Sequence, residues 1–368
     1  MSDIILCTPI IHDEYTEVAE KMFDFPLDSN SHVIIKNNIH PPEEWNIGLI
    51  FGPSGSGKST LLKSFGKLTK FEWDNRPIIS NLNKVSPEEA SKILCNVGFS
   101  TVPAWLRPYN CLSNGERFRA DLARSIIENE ELILIDEFTS VVDRNVAKSA
   151  SNSLNKYIRN NNKKIILASC HDDIINWLQP DWIYNPNEGI THRIPRGYLQ
   201  RPEIPIKIFR TKYEAWELFK HHHYLSSELN KSARCFMATW NNNPVAFTAI
   251  LSLPHPKLKN SWRESRTVVL PDYQGLGIGI KLSDYFGSLI KAKQGRYFSK
   301  TIHPAMVDYR LKNKNKWKET THSREKRSPS EASMLKRNWT ASDRFCYAFE
   351  YIGEPSKIEE SELFWEKC

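Results

Sequence analysis

Short, wholly apolar runs alternate with helix-like stretches in the first half of the chain. The clearest runs are NIGLIF at 46–51, ELILID at 131–136 and KKIILAS at 163–169. Strands that are apolar on both faces are typical of a parallel sheet covered on both sides. The pattern therefore predicts an α/β domain built on a parallel sheet.

The second half alternates more loosely between apolar and polar positions. The segments ARCFMATW at 233–240, PVAFTAILSL at 244–253 and SRTVVL at 265–270 predict strands of an antiparallel meander. A proline-containing stretch without apolar periodicity, 191–207, is typical of a domain junction. We therefore expect two domains, 1–200 of α/β type and 201–368 of α+β type.

Composition and charge narrow the possible partners. The 368 residues have a net charge of +7, and the first 200 hold 21 Lys and Arg against 25 Asp and Glu. The remainder holds 29 against 18, so the halves carry −4 and +11. No apolar run reaches the roughly 18 residues that a membrane span needs, and the N-terminus lacks signal-peptide features. We expect a cytoplasmic protein without a membrane partner.

Cysteine usage adds a second exclusion. The seven cysteines are scattered and never form a CxxC pair. An odd, dispersed set of this kind indicates neither a disulfide framework nor a zinc site. We expect reduced thiols that are mostly packed.

The stretch GPSGSGKS, 52–59, follows an apolar run and precedes the helix-like TLLKSFGKL. Its glycines let backbone N–H groups turn inward on a phosphate, while Lys58 reaches the β and γ oxygens of a nucleotide and Ser59 suits Mg²⁺. The motif therefore predicts ATP binding. The residues expected to contact ATP here are Gly52, Ser54, Gly55, Gly57, Lys58, Ser59 and Thr60.

The run LILIDE supplies the acidic partners of this loop. Asp136 comes at the end of an apolar strand, where it is placed to hold Mg²⁺ together with Ser59. Glu137 follows and is the candidate general base for the attacking water. The two motifs together predict an ATPase.

Three further segments resemble those of ABC ATPases. The segment CLSNGERFRADLAR, 111–124, resembles the ABC signature, with Ser113 and Gly115 in place. The segment SVVD resembles the D-loop, with Asp143 at its end. His171 resembles the switch histidine. The resemblance implies that the signature of one subunit closes on ATP held by the other, in an ATP-dependent homodimer. No glutamine stands at 100–102, where the family has its Q-loop, and about a dozen residues separate that point from the signature. This favours a soluble ABC ATPase over a transporter subunit.

A second glycine-rich stretch, DYQGLGIG at 272–279, lies between a predicted strand and an amphipathic helix. An acidic residue at the spacing of a Rossmann motif is missing. The pattern Q-x-x-G-x-G instead resembles the acyl-CoA loop of the GNAT acyltransferase superfamily, which implies that backbone N–H groups at a helix N-terminus hold a pyrophosphate. The resemblance implies that the cofactor is acetyl-CoA or another acyl-CoA. The residues that it implies for binding this cofactor are Val269, Leu270, Gln274, Gly275, Leu276, Gly277, Ile278 and Gly279.

The helix expected after 303 carries the next part of this resemblance. Tyr309 matches the tyrosine that protonates the departing CoA thiolate in the family, whereas His303 replaces the usual asparagine. The backbone N–H groups near Leu270 are implied to stabilise the oxyanion. The alternative is that Tyr309 only packs its ring.

The pieces HHYL and SKTIHP resemble bacteriophage Mom-type DNA-modification acyltransferases, a divergent GNAT branch. The resemblance implies an acceptor pocket of His223, Tyr224, Ser299 and His303. Three adjacent histidines at 221–223 also suggest a metal, but neighbours in sequence cannot all face one ion, and no Cys or carboxylate lies at ligand spacing.

The stretch 310–337 holds ten Lys and Arg against three acids, with Trp317 and Trp339 inside or beside it. Cations attract a polyanion and aromatic rings can stack on bases, which favours nucleic acid as the partner. The resemblance to the Mom-type enzymes implies that DNA is the favoured nucleic acid. The alternatives are a solvated basic face and a basic face that binds the acidic first half of the chain. The sequence thus predicts an ATPase fused to an acyltransferase that modifies nucleic acid, with dimer closure gating the transfer. Acetylation of a protein or small amine, or a clamp ATPase with a non-catalytic second half, are the alternatives.

Overall fold

A computed structural model describes residues 3–223, 228–326 and 345–365. Across these ranges the strands are β1 Ile4–Pro9, β2 Asn30–Ile35, β3 Ile47–Phe51, β4 Leu132–Ile135, β5 Lys164–Ser169, β6 Trp182–Asn185, β7 Ile190–Arg193, β8 Lys207–Thr211, β9 Arg234–Trp240, β10 Asn243–Ser252, β11 Ser261–Val269, β12 Arg296–Thr301, β13 Trp317–Glu319, β14 Glu325–Lys326 and β15 Phe345–Tyr351. The α-helices are α1 Glu14–Phe23, α2 Lys58–Lys63, α3 Ile78–Asn81, α4 Pro87–Asn96, α5 Val102–Trp105, α6 Asn114–Glu128, α7 Arg144–Asn160, α8 Ile175–Leu178, α9 Ile278–Ala292, α10 Pro304–Lys312 and α11 Ile358–Trp365.

The chain divides into two compact units, and each unit is made of three separate segments of the sequence. The first unit comprises Met1–Phe71, Glu128–Ser140 and Asn155–Arg201. The second comprises Glu72–Ile127, Val141–Leu154 and Pro202–Cys368. Compactness thus groups two segments of the first half with the second half, and the domain boundary at residue 200 stays a prediction.

The first unit is built on a five-stranded sheet of order β4-β5-β3-β6-β7. The pairs β4–β5, β5–β3 and β3–β6 are parallel and β7 is antiparallel at the edge, which confirms the parallel sheet. Gly48 of β3 lies under Trp182, and an added Cβ would come 2.1 Å from that ring. Only glycine therefore permits this close packing of the core.

The helix after the phosphate-binding motif is shorter than TLLKSFGKL suggests. It ends at Lys63, and Gly66 has a φ of 158° that helical backbone does not adopt. A separate two-stranded sheet, β1 and β2, and α1 complete this unit.

The second unit is built on an eight-stranded sheet of order β13-β15-β12-β11-β10-β9-β8, with β14 paired to β15. Strands β8 to β11 form the predicted antiparallel meander. Strand β11 then pairs in parallel with β12 only through Ser261–Arg263 and Arg296–Phe298. In the described part of the chain, the two strands therefore separate beyond Arg263, next to the start of α9.

No described helix has the length and apolarity that crossing a membrane requires.

Candidate functional site

The glycine loop of the first unit has the backbone of a phosphate-binding turn. Gly55 and Gly57 have φ values of 80° and 86°, a left-handed conformation that favours glycine. The Lys58 Nζ donates a hydrogen bond to the Pro53 carbonyl at 2.6 Å. The lysine thus curls back over the loop, where it is placed to meet a bound phosphate.

The predicted acidic residues and the histidine follow neighbouring parallel strands. Ile135 of β4 pairs with Leu167 of β5, and Phe51 of β3 pairs with Ser169. Because the carboxyl ends of parallel strands share one edge of the sheet, Asp136, Glu137 and His171 come to the edge where the phosphate loop begins. The Gly52 N–H donates to the Ser169 carbonyl at 3.3 Å, which ties the loop to β5.

The backbone after β4 is strained in a way that sequence patterns do not reveal. Glu137 and Thr139 have φ values of 48° and 70°, which non-glycine residues adopt at a cost of about 1–3 kcal/mol. The Phe138 N–H donates to the Ala168 carbonyl at 2.8 Å and holds this turn. The Glu137 side chain is exposed at the sheet edge, as a base for water requires.

Mg²⁺ fits the donors that this edge offers. The Glu137 N–H donates to one carboxylate oxygen of Asp136 at 2.9 Å, and the second oxygen and the Ser59 hydroxyl are hard ligands of the kind Mg²⁺ prefers. The described ranges contain no cluster of three or more His, Cys, Asp or Glu placed to bind a metal. Asp136 and Ser59 would hold the ion with nucleotide phosphates and water, the usual arrangement for Mg²⁺.

The signature-like residues lie in the second unit. Ser113 stands just before α6 and exchanges hydrogen bonds with Glu116: its backbone N–H donates to the carboxylate at 2.9 Å, and its hydroxyl accepts from the Glu116 N–H at 3.3 Å. This reciprocal capping box fixes the helix N-terminus. Ser113 is exposed and accessible to a nucleotide, and Asp143 accepts from the Asn145 N–H at 2.7 Å at the start of α7.

The second glycine loop lies between β11 and α9. Gly275 and Gly277 have φ values of 92° and 82°, and Gly277 directly precedes α9. Amide N–H groups in the first turn of a helix have no acceptor within the helix and can bind an anion. A Cβ on Gly279 would come 3.2 Å from the Val269 side chain, so any larger residue would require that side chain to shift by a few tenths of an ångström.

The hydrogen bonds bear on two expectations at this loop. The Leu270 N–H donates to the Val245 carbonyl at 2.9 Å, so this one group is already bonded, and the oxyanion role of the N–H groups near Leu270 stays a prediction. The Gln274 side chain is buried and donates to the Val269 carbonyl at 3.0 Å. Gln274 therefore shapes the loop through its side chain.

Tyr309 is held by a carboxylate. Its hydroxyl donates to Asp284 at 2.5 Å, and the same carboxylate accepts from Lys316 at 2.9 Å and from the Trp317 indole at 2.8 Å. Burial and then the hydrogen bond to Asp284 raise the pKa of Tyr309. The phenol is therefore protonated at neutral pH, as an acid must be.

A buried ion pair beside the separated strands was missed from the sequence. The Arg310 guanidinium donates to Glu264 at 2.9 Å, to Ser299 at 2.7 Å and to Ser283 at 2.8 Å. Burial alone would raise the pKa of Glu264, but the Arg310 charge and the hydrogen bonds lower it. Arg310 is one of the ten cations of the predicted basic stretch, but its side chain is fully buried, so the prediction is wrong for this residue.

The predicted acceptor pocket is described for three of its four residues. His223 is 9% exposed, with its ring 6.0 Å from that of Trp216. Ser299 is buried and bonded to Arg310, and His303 caps α10. Tyr224 lies outside the described residues.

The two histidines of the predicted acceptor pocket, His223 and His303, predict an acid-sensitive fold. Burial, then the charges of Arg266 and His303, lowers the pKa of His223 to about 3, and burial lowers the pKa of His303. A histidine with a lowered pKa stabilises the fold above its unfolded pKa of 6.5, and this contribution is lost as pH falls towards the folded pKa. For His223 we expect a loss of about 1 kcal/mol of unfolding free energy between about pH 7.5 and about pH 5.5.

Denaturant unfolding at the two pH values measures this loss. His223→Phe should reduce the pH dependence by about 1 kcal/mol. His221→Phe, a change at the neighbouring exposed histidine, is the matched control. An identical pH dependence in His223→Phe and the parent would contradict the assignment.

The basic stretch differs from its sequence prediction. Lys312, Lys314 and Lys318 are exposed, but Trp317 is 1% exposed and packs in the core, so its predicted stacking on bases is wrong. The side chains of Lys326, Arg327, Lys336, Arg337 and Trp339 lie outside the described residues.

The two units thus define two classes of site. A glycine loop followed by a lysine, at the carboxyl edge of a parallel sheet, defines a P-loop nucleotide-binding fold. A glycine loop between separated strands and a helix N-terminus defines a second site that can bind an anionic group.

Comparison with known proteins agrees with both classes. The acetyltransferase (GNAT) family matches residues 200–286. The lipoprotein-releasing system ATP-binding protein LolD of Ehrlichia ruminantium (strain Gardel) is 34% identical over 212 residues, covering 45% of this chain and 91% of that protein. The chain therefore belongs to the ABC ATPases, and it joins an ABC-type ATPase to a GNAT-type N-acetyltransferase. The predicted fold class and enzyme classes are confirmed.

Two solved structures each match part of this chain. The dimeric structure of MJ0796, a bacterial ABC transporter cassette, has 19% identity and a TM-score of 0.33, covering 45% of this chain and 90% of that one. The ribosomal-protein-S18-alanine N-acetyltransferase from Escherichia coli has 14% identity and a TM-score of 0.30, covering 41% and 97%.

Proposed function

We propose that the chain transfers an acyl group from acyl-CoA to an amine of nucleic acid, DNA above all, and that an ATP-dependent homodimer gates the transfer. The observation that carries the proposal is the loop 274–279. It follows the end of β11 that no longer pairs with β12, and it carries two left-handed glycines and the N-terminus of α9. This arrangement can hold a pyrophosphate while the attached thioester extends between the strands.

The transfer step uses few groups of this chain. Acyl-CoA supplies an activated thioester when bound. The N–H groups of 275–279 bind its phosphates, and the acceptor nitrogen attacks the carbonyl carbon as the carbon–sulfur bond breaks. Tyr309 gives its proton to the departing sulfur, the attacking nitrogen loses one proton to solvent, and solvent then returns a proton to Tyr309. The pocket of His223, Tyr224, Ser299 and His303 would receive the acceptor.

The ATPase site would be completed by a second copy. Lys58 and Ser59 bind phosphates and Mg²⁺ with Asp136, while Glu137 activates water and His171 contacts the γ-phosphate. The exposed Ser113, with Gly115 and Asp143, would close on the nucleotide of the partner copy. We propose a non-transporter, cytoplasmic role with no membrane partner.

Charge supports a polyanionic acceptor. Residues 201–368 carry +11, and Lys312, Lys314 and Lys318 are exposed on and just after α10, the helix that holds Tyr309. Cations placed in this way attract nucleic acid at physiological salt. A base amine in a duplex would have to leave the stack to reach the thioester. The resemblance of the histidine segments to Mom-type DNA-modifying enzymes agrees with this choice.

Nucleoside mass analysis tests the acceptor. The protein is incubated with labelled acetyl-CoA, ATP and DNA or RNA, and the nucleic acid is then digested to nucleosides. We expect a mass-shifted nucleoside from DNA and a steep loss of DNA binding as salt rises. If the label is found only on protein or on small amines and no nucleoside changes in mass, the acceptor is a protein or a small amine and not nucleic acid.

One observation favours a second candidate, a nucleic-acid clamp ATPase with a non-catalytic GNAT-like domain. The Tyr309 hydroxyl is already engaged by Asp284, which links α10 to α9. This candidate predicts that ATP is hydrolysed while acetyl-CoA fails to bind.

A further inference from the structure

The loop at 274–275 is held by two segments from the first half of the sequence, both in the second unit. The Ser100 N–H donates to the Gln274 side-chain oxygen at 2.7 Å, and the Gln274 side-chain nitrogen donates to the Thr101 hydroxyl at 2.9 Å. The Asn152 side chain donates to the Gly275 carbonyl at 2.9 Å. We call these contacts of 98–101 and 152–153 with the loop the junction.

The junction brings backbone against backbone. A Cβ on Gly275 would lie 1.9 Å from the Ser153 hydroxyl and 3.2 Å from the Gly98 Cα. A Cβ on Gly98 would lie 3.0 Å from the Gln274 carbonyl oxygen. Such close packing has little room to deform, so movement of 98–101 or of α7 must move the loop.

The same helix also contacts the signature helix. The buried Arg119 of α6 donates to the Ser149 hydroxyl of α7 at 2.8 Å, and Ser149 lies one turn before Asn152 and Ser153. At the start of α6, a Cβ on Gly115 would lie 3.3 Å from Val146 of α7. Packed groups therefore connect the signature residues to Gly275 without interruption.

A second contact reaches the helix of Tyr309. The Ser100 carbonyl lies 3.4 Å from the His303 Nε2, and His303 is the N-cap of α10. Segment 98–101 thus contacts both the acyl-CoA loop and the helix that carries the proposed acid. Segment 98–101 lies at the position of the Q-loop of ABC ATPases. It contains no glutamine of its own, and the side-chain amide that bonds to it is that of Gln274.

We propose that the junction couples ATP captured at the signature to the affinity of the loop for acyl-CoA, with Thr101 and Asn152 as positioning residues. The inference rests on the proposed function, because it requires both ligands to bind. Since such coupling is reciprocal, acyl-CoA would raise the affinity for ATP by the same factor. Typical coupling of this kind is about fivefold to 150-fold.

Calorimetric titration tests the coupling. Acetyl-CoA is titrated into the full chain with Mg²⁺ alone and with Mg²⁺ and a non-hydrolysable ATP analogue. Thr101→Val removes one hydroxyl at nearly constant volume, and Asn152→Leu removes the donor to Gly275. Asn161→Leu, which alters an exposed asparagine just after α7, is the matched control. Melting temperatures establish that each variant is folded. If Asn152→Leu does not fold, Thr101→Val alone tests the coupling.

The outcomes separate the inference from the function beneath it. We expect the analogue to tighten acetyl-CoA binding by about fivefold or more, with most of this factor lost in Thr101→Val and Asn152→Leu and kept in Asn161→Leu. Equal acetyl-CoA affinity with and without the analogue, or full coupling in both junction variants, overturns the inference alone. Binding of the analogue without any binding of acetyl-CoA overturns the transferase function as well.

Discussion

Lys58→Met is expected to lower the ATP hydrolysis rate by about 100-fold or more, because removing one positioned charge from a phosphate site has an effect of that order. Lys58 reaches back over the loop to the Pro53 carbonyl, and methionine keeps its length without its charge. The measurement is steady-state phosphate release at saturating ATP.

Lys63→Met serves as the matched control. Lys63 ends the same helix α2 and is exposed, so its loss should leave hydrolysis within about twofold of the parent, as is usual for surface changes. Equal losses in the two variants would indicate a general effect on the helix rather than a phosphate contact by Lys58.

Tyr309→Phe is expected to lower the rate of acyl transfer by about 100-fold to 10,000-fold, the usual contribution of a positioned acid. The loss should fall on kcat and leave KM for acetyl-CoA nearly unchanged, since the phenol acts on the leaving group. The hydroxyl also bonds to Asp284, so a purely structural role would instead change KM and the melting temperature.

Tyr285→Phe is the control for this prediction. Tyr285 belongs to α9 and is the neighbour of Asp284 in sequence, and burial raises the pKa of Tyr285 as well. The tyrosine that donates to Asp284, however, is Tyr309. Transfer by Tyr285→Phe should stay close to that of the parent. Unaltered kcat in Tyr309→Phe would assign Tyr309 to packing and favour the clamp ATPase.

The sequence was most informative where local chemistry fixes local structure. The glycines at 55, 57, 275 and 277 adopt the left-handed backbone that a phosphate-binding turn needs, and the apolar runs at 47–51 and 164–169 form neighbouring parallel strands. These features depend on residues that are adjacent in sequence. They could therefore be read from motif and periodicity.

Long-range packing could not be read in the same way. Arg310 and Trp317 occur in a run rich in lysine, yet Glu264 pairs with Arg310, and the Trp317 indole donates to Asp284 from inside the core. Their partners lie 46 and 33 residues away. Nothing in the local pattern distinguishes these two side chains from the exposed lysines around them.

The junction had only an indirect signal in the sequence. The absence of a glutamine at 100–102 marked this segment as unusual, but Gln274, which bonds to it, lies 174 residues from Ser100. Only the fold of the second unit brings the two together.

We propose that ATP hydrolysis at the P-loop governs acyl transfer at the loop 274–279. The most direct test compares acyl transfer to DNA by the parent protein and by Glu137→Gln, each with acetyl-CoA and ATP. We predict that Glu137→Gln, which keeps ATP binding but removes the base for water, stops multiple-turnover transfer together with hydrolysis. Acyl transfer at the parental rate, with ATP hydrolysis abolished, would contradict the claim.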